Sequence, residues 1–145
     1  KKACFYLKKA ADRGNVEAML NYGLMSKKGE GVPVNKQEAC KYFKNAADKG
    51  NVKAMLNYGL MLLKGEGVQI NKRKACNYIK NAAYKGNVKA MLQYALMLEN
   101  GEGVAVNKEE AQYYYKMAAD KGNIEANVYY NIVSEEHQSE LLSEQ

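Results

Sequence analysis

Apolar residues recur along the chain every three to four positions, and short glycine-containing segments interrupt this pattern. In the stretch 72–85 the apolar side chains share the spacing i, i+3, i+4, i+7 and i+8, which defines one helix face: Ala75, Tyr78, Ile79, Ala82 and Ala83. The stretch 52–64 is apolar almost all round, with Leu56, Leu60 and Leu63 on one side and Tyr58 on another. We predict a helix over each stretch.

The pattern repeats with a step of 36 residues. "GNVEAMLNYGLM" at 14–25 returns as "GNVKAMLNYGLM" at 50–61 and "GNVKAMLQYALM" at 86–97. Residues 14–49 and 50–85 differ at only ten of 36 positions. A catalytic site needs one asymmetric cluster, whereas a stacking unit buries its apolar face against the next copy, so the sequence indicates a tandem array.

Asparagine and glycine mark the helix ends. Asn51 and Asn71 precede the two apolar stretches and can cap them through their side-chain oxygens, while Gly65 and Gly86 follow the stretches. The turn "GEGVQIN" at 65–71 places two glycines where positive φ is available. In two copies the spacing also predicts a reciprocal capping box, in the pairs Asn35 with Glu38 and Asn107 with Glu110.

The link between units is only Gly-Asn, so consecutive helices must be antiparallel. We predict an all-α fold, a right-handed α-solenoid (superhelix) of antiparallel helix pairs with a 36-residue repeat. The array covers 1–133 and is followed by a polar, acidic extension, helical or frayed, at 134–145. Its units are a partial repeat 1–13, the repeats 14–49, 50–85 and 86–121, and a final helix from 122.

Composition narrows the possible partners and the location. The net charge is +6, and the extension contains four glutamates and no basic residue, which leaves 22 basic and 12 acidic side chains elsewhere. This balance favours an acidic partner.

No apolar run approaches 18 residues, which argues against a membrane span. Cys4, Cys40 and Cys76 are one repeat apart, too far for a disulfide, and unpaired thiols together with no visible signal peptide favour the cytoplasm. The chain opens on Lys1 rather than Met, and we expect a piece of a longer protein.

These features resemble the Sel-1-like repeat (SLR) family, relatives of tetratricopeptide repeats. The residues of the second copy that match the family pattern are Ala54, Gly59, Gly65, Gly67, Val68, Ala75, Tyr78, Lys80, Ala82, Ala83 and Gly86. Two departures are Ala95, where the family has glycine, and Ser26 at a core position of the first copy. The resemblance implies an α-solenoid that serves as an adaptor or scaffold, with no catalysis and no cofactor.

In each repeat, the helix that follows the Gly-Asn link is the first of the pair. A polar amide recurs midway along this first helix in all three copies, where it contributes little to packing. By similarity to tetratricopeptide arrays, this position faces the concave groove, and an amide there can donate to and accept from a peptide backbone. The candidate peptide-binding residues on that face are Asn21, Asn57, Gln93, Lys53, Lys89, Leu20, Leu24, Leu56, Leu60, Leu92 and Leu96. The alternative is that the amides are merely solvated and the leucines pack between repeats.

The sequence gives weaker support for metal, catalytic, phosphate-binding and nucleic-acid-binding sites. His137 is the only histidine and has only glutamates nearby in sequence, so a metal site is disfavoured. Cys40 has no fixed histidine partner, which argues against a nucleophile. The "GEGV" turns do not have the Gly-Lys-Ser/Thr ending of a phosphate loop. The lysine row could follow a nucleic-acid backbone, but a solvated outer face is the usual meaning: Lys8, Lys44, Lys80 and Lys116.

We therefore predict a non-catalytic protein–protein interaction module that binds a peptide or protein partner on its concave face, with no cofactor and no metal. Two alternatives stay open. One is a regulatory repeat region of a larger enzyme whose catalytic domain lies outside this chain. The other is a structural spacer without a ligand of its own.

Overall fold

The computed structural model describes residues 2–144, which form eight α-helices and no strand. The all-α repeat fold predicted from the sequence is confirmed. Each helix packs principally against the helices before and after it in the chain. The helices are α1 Lys2–Asp12, α2 Val16–Lys28, α3 Lys36–Asp48, α4 Val52–Lys64, α5 Lys72–Tyr84, α6 Val88–Asn100, α7 Lys108–Asp120 and α8 Ile124–Ser143.

Two kinds of helix alternate. We call α2, α4, α6 and α8 the first helices and α1, α3, α5 and α7 the second helices. The predicted helix over 52–64 is confirmed as α4, whereas α5 ends at Tyr84, one residue before the predicted end. Asn51 caps α4 by accepting a hydrogen bond from the Ala54 amide at 2.8 Å, and Gly65 ends it in the left-handed conformation.

Each predicted capping box consists of two hydrogen bonds, and only one of them forms as predicted. The Asn35 side chain accepts a hydrogen bond from the Glu38 amide at 3.0 Å, as expected. The Asn35 amide, however, donates to the Ser26 carbonyl at 2.8 Å, and the Asn107 amide donates likewise to Leu98. Because the end of the preceding first helix already satisfies this backbone donor, the glutamate side chain does not accept from it; Glu110 accepts instead from the side-chain amide of Asn107 at 3.4 Å.

The Gly-Asn links are held on both sides. The Asn51 amide donates to the Ala46 carbonyl of α3 at 3.0 Å, while the Asn51 side chain caps α4. Gly50 has φ +97°, a conformation that closes a helix and that side chains other than hydrogen rarely adopt. This double attachment fixes the direction in which each first helix leaves its predecessor.

Small residues let the two helices of a repeat approach closely. A Cβ built at Gly59 would stand 2.6 Å from Cγ1 of Ile79, and one at Gly23 would stand 2.7 Å from the Phe43 ring. Ala82 on the second helix is fully buried. Beyond these contacts, edge-to-face tyrosine pairs fill the space at ring-centroid distances of 4.9–5.0 Å: Tyr22 with Tyr42, Tyr58 with Tyr78, and Tyr94 with Tyr114.

Turn glycines join one repeat to the next. A Cβ at Gly67 would overlap the backbone carbonyl of Lys36, the residue that opens α3 in the preceding repeat. Gly103 meets the Lys72 carbonyl in the same way. Beside the first of these contacts, Lys36 forms an ion pair with Glu66 at 3.3 Å. Consecutive repeats therefore touch backbone to backbone at this point.

Ser26 departs from the pattern of the core. It is fully buried at the position where the next two copies have Leu62 and Leu98. Its hydroxyl has no hydrogen-bond partner among the described residues. A buried hydroxyl without a partner is destabilising.

Helix α8 is the fourth of the first helices, and it continues beyond residue 133 as far as Ser143. His137 stands where the earlier first helices end at Gly29, Gly65 and Gly101, so no left-handed residue stops α8. Ser134 accepts a hydrogen bond from the Gln112 side chain of α7 at 2.6 Å. Val128 and Ile132, which correspond to Leu92 and Leu96 of α6, are 52% and 45% exposed.

Candidate functional site

A surface groove crosses three consecutive first helices. It has a volume of about 520 Å³. We call it the first-helix groove and define it by the residues that line it: Leu24, Lys53, Leu56, Asn57, Leu60, Asn87, Val88 and Lys89. Leu24 comes from α2, the next four from α4, and the last three from the start of α6, so the groove runs across the repeats.

The groove contains six of the eleven residues that the sequence predicts for peptide binding: Leu24, Lys53, Leu56, Asn57, Leu60 and Lys89. The other five do not line it, although they occupy the corresponding positions of α2 and α6: Leu20, Asn21, Leu92, Gln93 and Leu96. Sequence reasoning missed Asn87 and Val88. Their position directly after the Gly86 link is the signal that could have identified them, because the start of α6 is held beside α4.

The predicted leucines fall into two sets. Leu20, Leu56 and Leu92 belong to the hydrophobic core, with exposed fractions of 4%, 8% and 7%. The leucines one turn later are half-buried and pack against that core with one side only: Leu24, Leu60 and Leu96. Only the second set presents a substantial apolar surface to the solvent.

The midway amide side chains of α2, α4 and α6 are half-buried and free of hydrogen bonds within the described residues. Asn21, Asn57 and Gln93 form no side-chain hydrogen bond to other residues within 2–144. This contrasts with Asn51 and Asn87, whose side-chain oxygens accept bonds from Ala54 and Ala90 as helix caps. The three midway amides therefore retain their donors and acceptors for another molecule.

The groove is positively charged at its middle. Lys53 and Lys89 are exposed, and neither forms an ion pair in the described part of the chain. Charged side chains that have no partner in the protein can pair with groups of opposite charge on a ligand.

Three of the four lysines in the predicted row interact with a neighbouring side chain. Lys8 and Lys44 form ion pairs with Asp12 at 3.2 Å and Asp48 at 3.0 Å. Lys80 instead lies over the Tyr84 ring, 5.3 Å from its centroid. This row therefore offers fewer free cations than its sequence spacing indicated.

The same aspartates connect adjacent repeats. The Tyr78 hydroxyl donates to Asp48 at 2.7 Å, and Tyr42 donates to Asp12. Burial and the hydrogen bond to Asp48 raise the pKa of Tyr78. Burial alone would raise the pKa of Asp48, but the bond from Tyr78 and the pairing with Lys44 outweigh it and lower that pKa. Tyr84 replaces the aspartate at the next junction, where its ring stacks on Tyr114 at 6.3 Å.

The candidate reactive groups do not form a site. Cys40 is buried and its thiol donates to the Glu66 carbonyl at 3.1 Å, and burial raises the thiol pKa above its ordinary value. A raised pKa disfavours the nucleophilic thiolate. His137 is exposed, and residues 2–144 contain no group of side chains that could hold a metal ion. No helix in this part of the chain has the length and hydropathy needed to span a membrane.

Comparisons with known proteins agree with the repeat fold. The Sel1 repeat family model matches the chain four times, over residues 1–15, 16–51, 52–87 and 88–123. A comparison with curated protein sequences gave no significant match.

Three solved structures are similar to this chain. A Sel1 repeat protein from Oxalobacter formigenes is 34% identical with a TM-score of 0.83, over 88% of this chain and 53% of that protein. The uropathogenic Escherichia coli protective antigen c5321, which displays an SLR fold, is 30% identical with a TM-score of 0.81, over 83% of this chain and 26% of that protein. Helicobacter pylori cysteine rich protein B shares the fold at 22% identity, with a TM-score of 0.68 over 88% of this chain and 92% of that protein. The chain thus spans about a quarter of the antigen and about half of the Oxalobacter protein.

Proposed function

This chain belongs to the Sel1 repeat family, and on that basis we propose that it is a non-catalytic interaction module whose first-helix groove holds an extended segment of a partner protein. Sel1 repeat proteins are generally protein-interaction modules, and the family is generally non-catalytic. The observation that carries the proposal is the groove itself. It combines half-buried leucines, an uncommitted amide and two unpaired lysines on three consecutive repeats.

Each kind of side chain has a separate part in the proposal. Asn57 in the groove, and Asn21 and Gln93 at the same position of the neighbouring first helices, exchange hydrogen bonds with the backbone of the bound segment, replacing water. The half-buried Leu24 and Leu60 of the groove, and Leu96 at the same position of α6, receive its apolar side chains. Because neighbouring first helices present the same positions, one extended segment can be held at several repeats at once.

Other functions have less support. The pairing of Lys8 and Lys44 with aspartates removes two of the four cations of the lysine row that could follow a nucleic-acid backbone. The buried Cys40 and the solitary His137 give no nucleophile–base arrangement. Lys53 and Lys89 favour acidic side chains on the partner.

A pair of matched variants tests the proposal. A peptide selected from an unbiased display library on the wild-type chain is used to compare two proteins by fluorescence anisotropy. The first carries the amide replacements Asn21→Ala, Asn57→Ala and Gln93→Ala. The control carries Asn45→Ala and Asn81→Ala, which remove exposed amides from second helices.

The expected result is specific to the groove variant. Each lost hydrogen bond costs about 0.5–1.5 kcal/mol, so three together should raise Kd roughly ten- to a thousandfold, whereas the control should bind like wild type. Both variants should melt close to wild type, because none of the replaced side chains is in the core or forms a hydrogen bond within residues 2–144, and such surface substitutions usually cost under about 0.5 kcal/mol each. Equal affinities of the two variants would place the binding site elsewhere. A large fall in melting temperature for the groove variant alone would show that the amides are structural.

A further inference from the structure

The first helices carry a charged residue one turn before the midway position, which is an amide in α2, α4 and α6 and Tyr129 in α8, and the sign of this charge changes along the array. The residues in order are Glu17, Lys53, Lys89 and Glu125, on α2, α4, α6 and α8. All four side chains are exposed, and none belongs to an ion pair found between residues 2 and 144. The order is therefore negative, positive, positive, negative.

These charges lie at equivalent points of equivalent helices. Lys53 and Lys89 line the first-helix groove, and Glu17 and Glu125 occupy the same helical position one repeat before and one repeat after them. Neighbouring packed helices lie about 8–10 Å apart. A segment in the extended polyproline II conformation rises about 3.1 Å per residue and returns to the same side every three residues, so three residues of a bound segment cover one step between charges and keep the charged side chains on one side.

We propose that the first-helix groove selects an extended segment of about ten residues with a fixed charge order. Its two acidic side chains are about three residues apart and pair with Lys53 and Lys89. A basic side chain about three residues beyond each of them pairs with Glu17 on one side and Glu125 on the other. The inference rests on the proposed function, since it specifies the occupant of the same groove.

The order of charges is a more specific requirement than their sum. The chain has a net charge of +6, so unspecific attraction would favour the most acidic segment available. Glu17 and Glu125 would repel such a segment at both ends. An exposed ion pair changes Kd by a factor of about 1.5 to 5, so four correct pairs together favour the ordered segment by about fivefold to several hundredfold over a segment with unmatched charges.

Synthetic peptides of equal composition separate order from net charge. The ordered peptide has Lys at both ends, two Glu in the middle at the spacing above, and Pro between them to favour the polyproline II conformation. The inverted peptide exchanges Lys with Glu, and the scrambled peptide places the two Lys in one half and the two Glu in the other. Each is titrated by fluorescence anisotropy against the wild-type chain at low salt.

A charge-inverted protein provides the matched control. It carries Glu17→Lys, Lys53→Glu, Lys89→Glu and Glu125→Lys, all at exposed positions, and it has the same net charge as the wild type. The wild type should bind the ordered peptide at least about fivefold more tightly than the other two peptides. The inverted protein should reverse this preference and favour the inverted peptide.

Three results would overturn the inference. They are equal affinities for the three peptides, a preference that does not reverse with the inverted protein, and no binding of any peptide up to about 1 mM, an affinity equivalent to about −4.1 kcal/mol. The proposed function is judged separately, by the peptide from the unbiased library and the amide variants. If that peptide binds in the groove and the charge inversion does not affect it, the groove is correct and the charge order is wrong.

Discussion

Replacing Gly67 with alanine should weaken the attachment between two repeats. Gly67 has φ +71°, and a Cβ there would overlap the Lys36 carbonyl and stand 2.8 Å from the Gln37 amide nitrogen. These obstacles are backbone atoms at the start of α3, so a side-chain rotation cannot relieve the contact. The turn must therefore move away from the preceding repeat.

The expected cost has two parts. An alanine held at positive φ costs about 1–2 kcal/mol, and overpacking a close contact costs typically 1–3 kcal/mol more, which gives a total of about 2–5 kcal/mol. Gly86→Ala is the matched control. It also has positive φ, +97°, but a Cβ at Gly86 would meet nothing within 4 Å. The control should therefore lose only the backbone part.

Urea unfolding followed by circular dichroism at 222 nm measures this difference. At an m-value of about 2 kcal/mol/M, the midpoint of Gly67→Ala should fall by roughly 1–2.5 M, and that of Gly86→Ala by roughly 0.5–1 M. Unfolding of Gly67→Ala should also broaden, because repeats on the two sides of the weakened contact depend less on each other. Equal midpoints for the two variants would refute the argument, since the contact with Lys36 would then yield without cost.

Further variants test the core and the junctions. Ser26→Ala should raise the free energy of unfolding by about 1 kcal/mol, since it removes a buried hydroxyl without a partner; a lower urea midpoint would contradict this. Ala82→Leu should lower it by about 1–3 kcal/mol by overpacking, and an unchanged melting temperature would mean that the helix face is wrongly placed. The lowered pKa of Asp48 means that its stabilising effect is present above the ordinary carboxyl pKa of about 3.9 and is lost as pH falls through the lower folded value. Tyr78→Phe, which removes one cause of that lowering, should lose less stability than wild type between pH 6 and pH 2, measured as urea midpoints.

Much of the fold could be predicted because the determinants of helix ends are local. An asparagine such as Asn51 caps a helix through an amide three residues away, and Gly65 ends one because of its own backbone freedom. The 36-residue recurrence then multiplied each local signal. What failed depended on a distant group: the Asn35 amide bonds to Ser26, nine residues earlier, instead of to its capping-box glutamate.

The candidate site was predictable only in part. Helical periodicity placed Leu56 and Leu60 on the same side, but it could not indicate that Leu56 is in the core while Leu60 is half-exposed. That difference depends on how closely α4 lies to its neighbours. Asn87 and Val88 join the groove because the next repeat brings the start of α6 beside α4, and this juxtaposition is a property of stacking.

The packing of each helix principally against its neighbours in the chain has a mechanical consequence. When the chain is pulled from its ends, the outermost helices can detach with little effect on the interior, because within residues 2–144 most of their contacts are with the adjacent helices. Each 36-residue unit released would lengthen the tether by up to about 120 Å, at about 3.3 Å per residue. Such a protein should extend under load in a series of reversible steps, one repeat at a time, and not unfold in a single cooperative event.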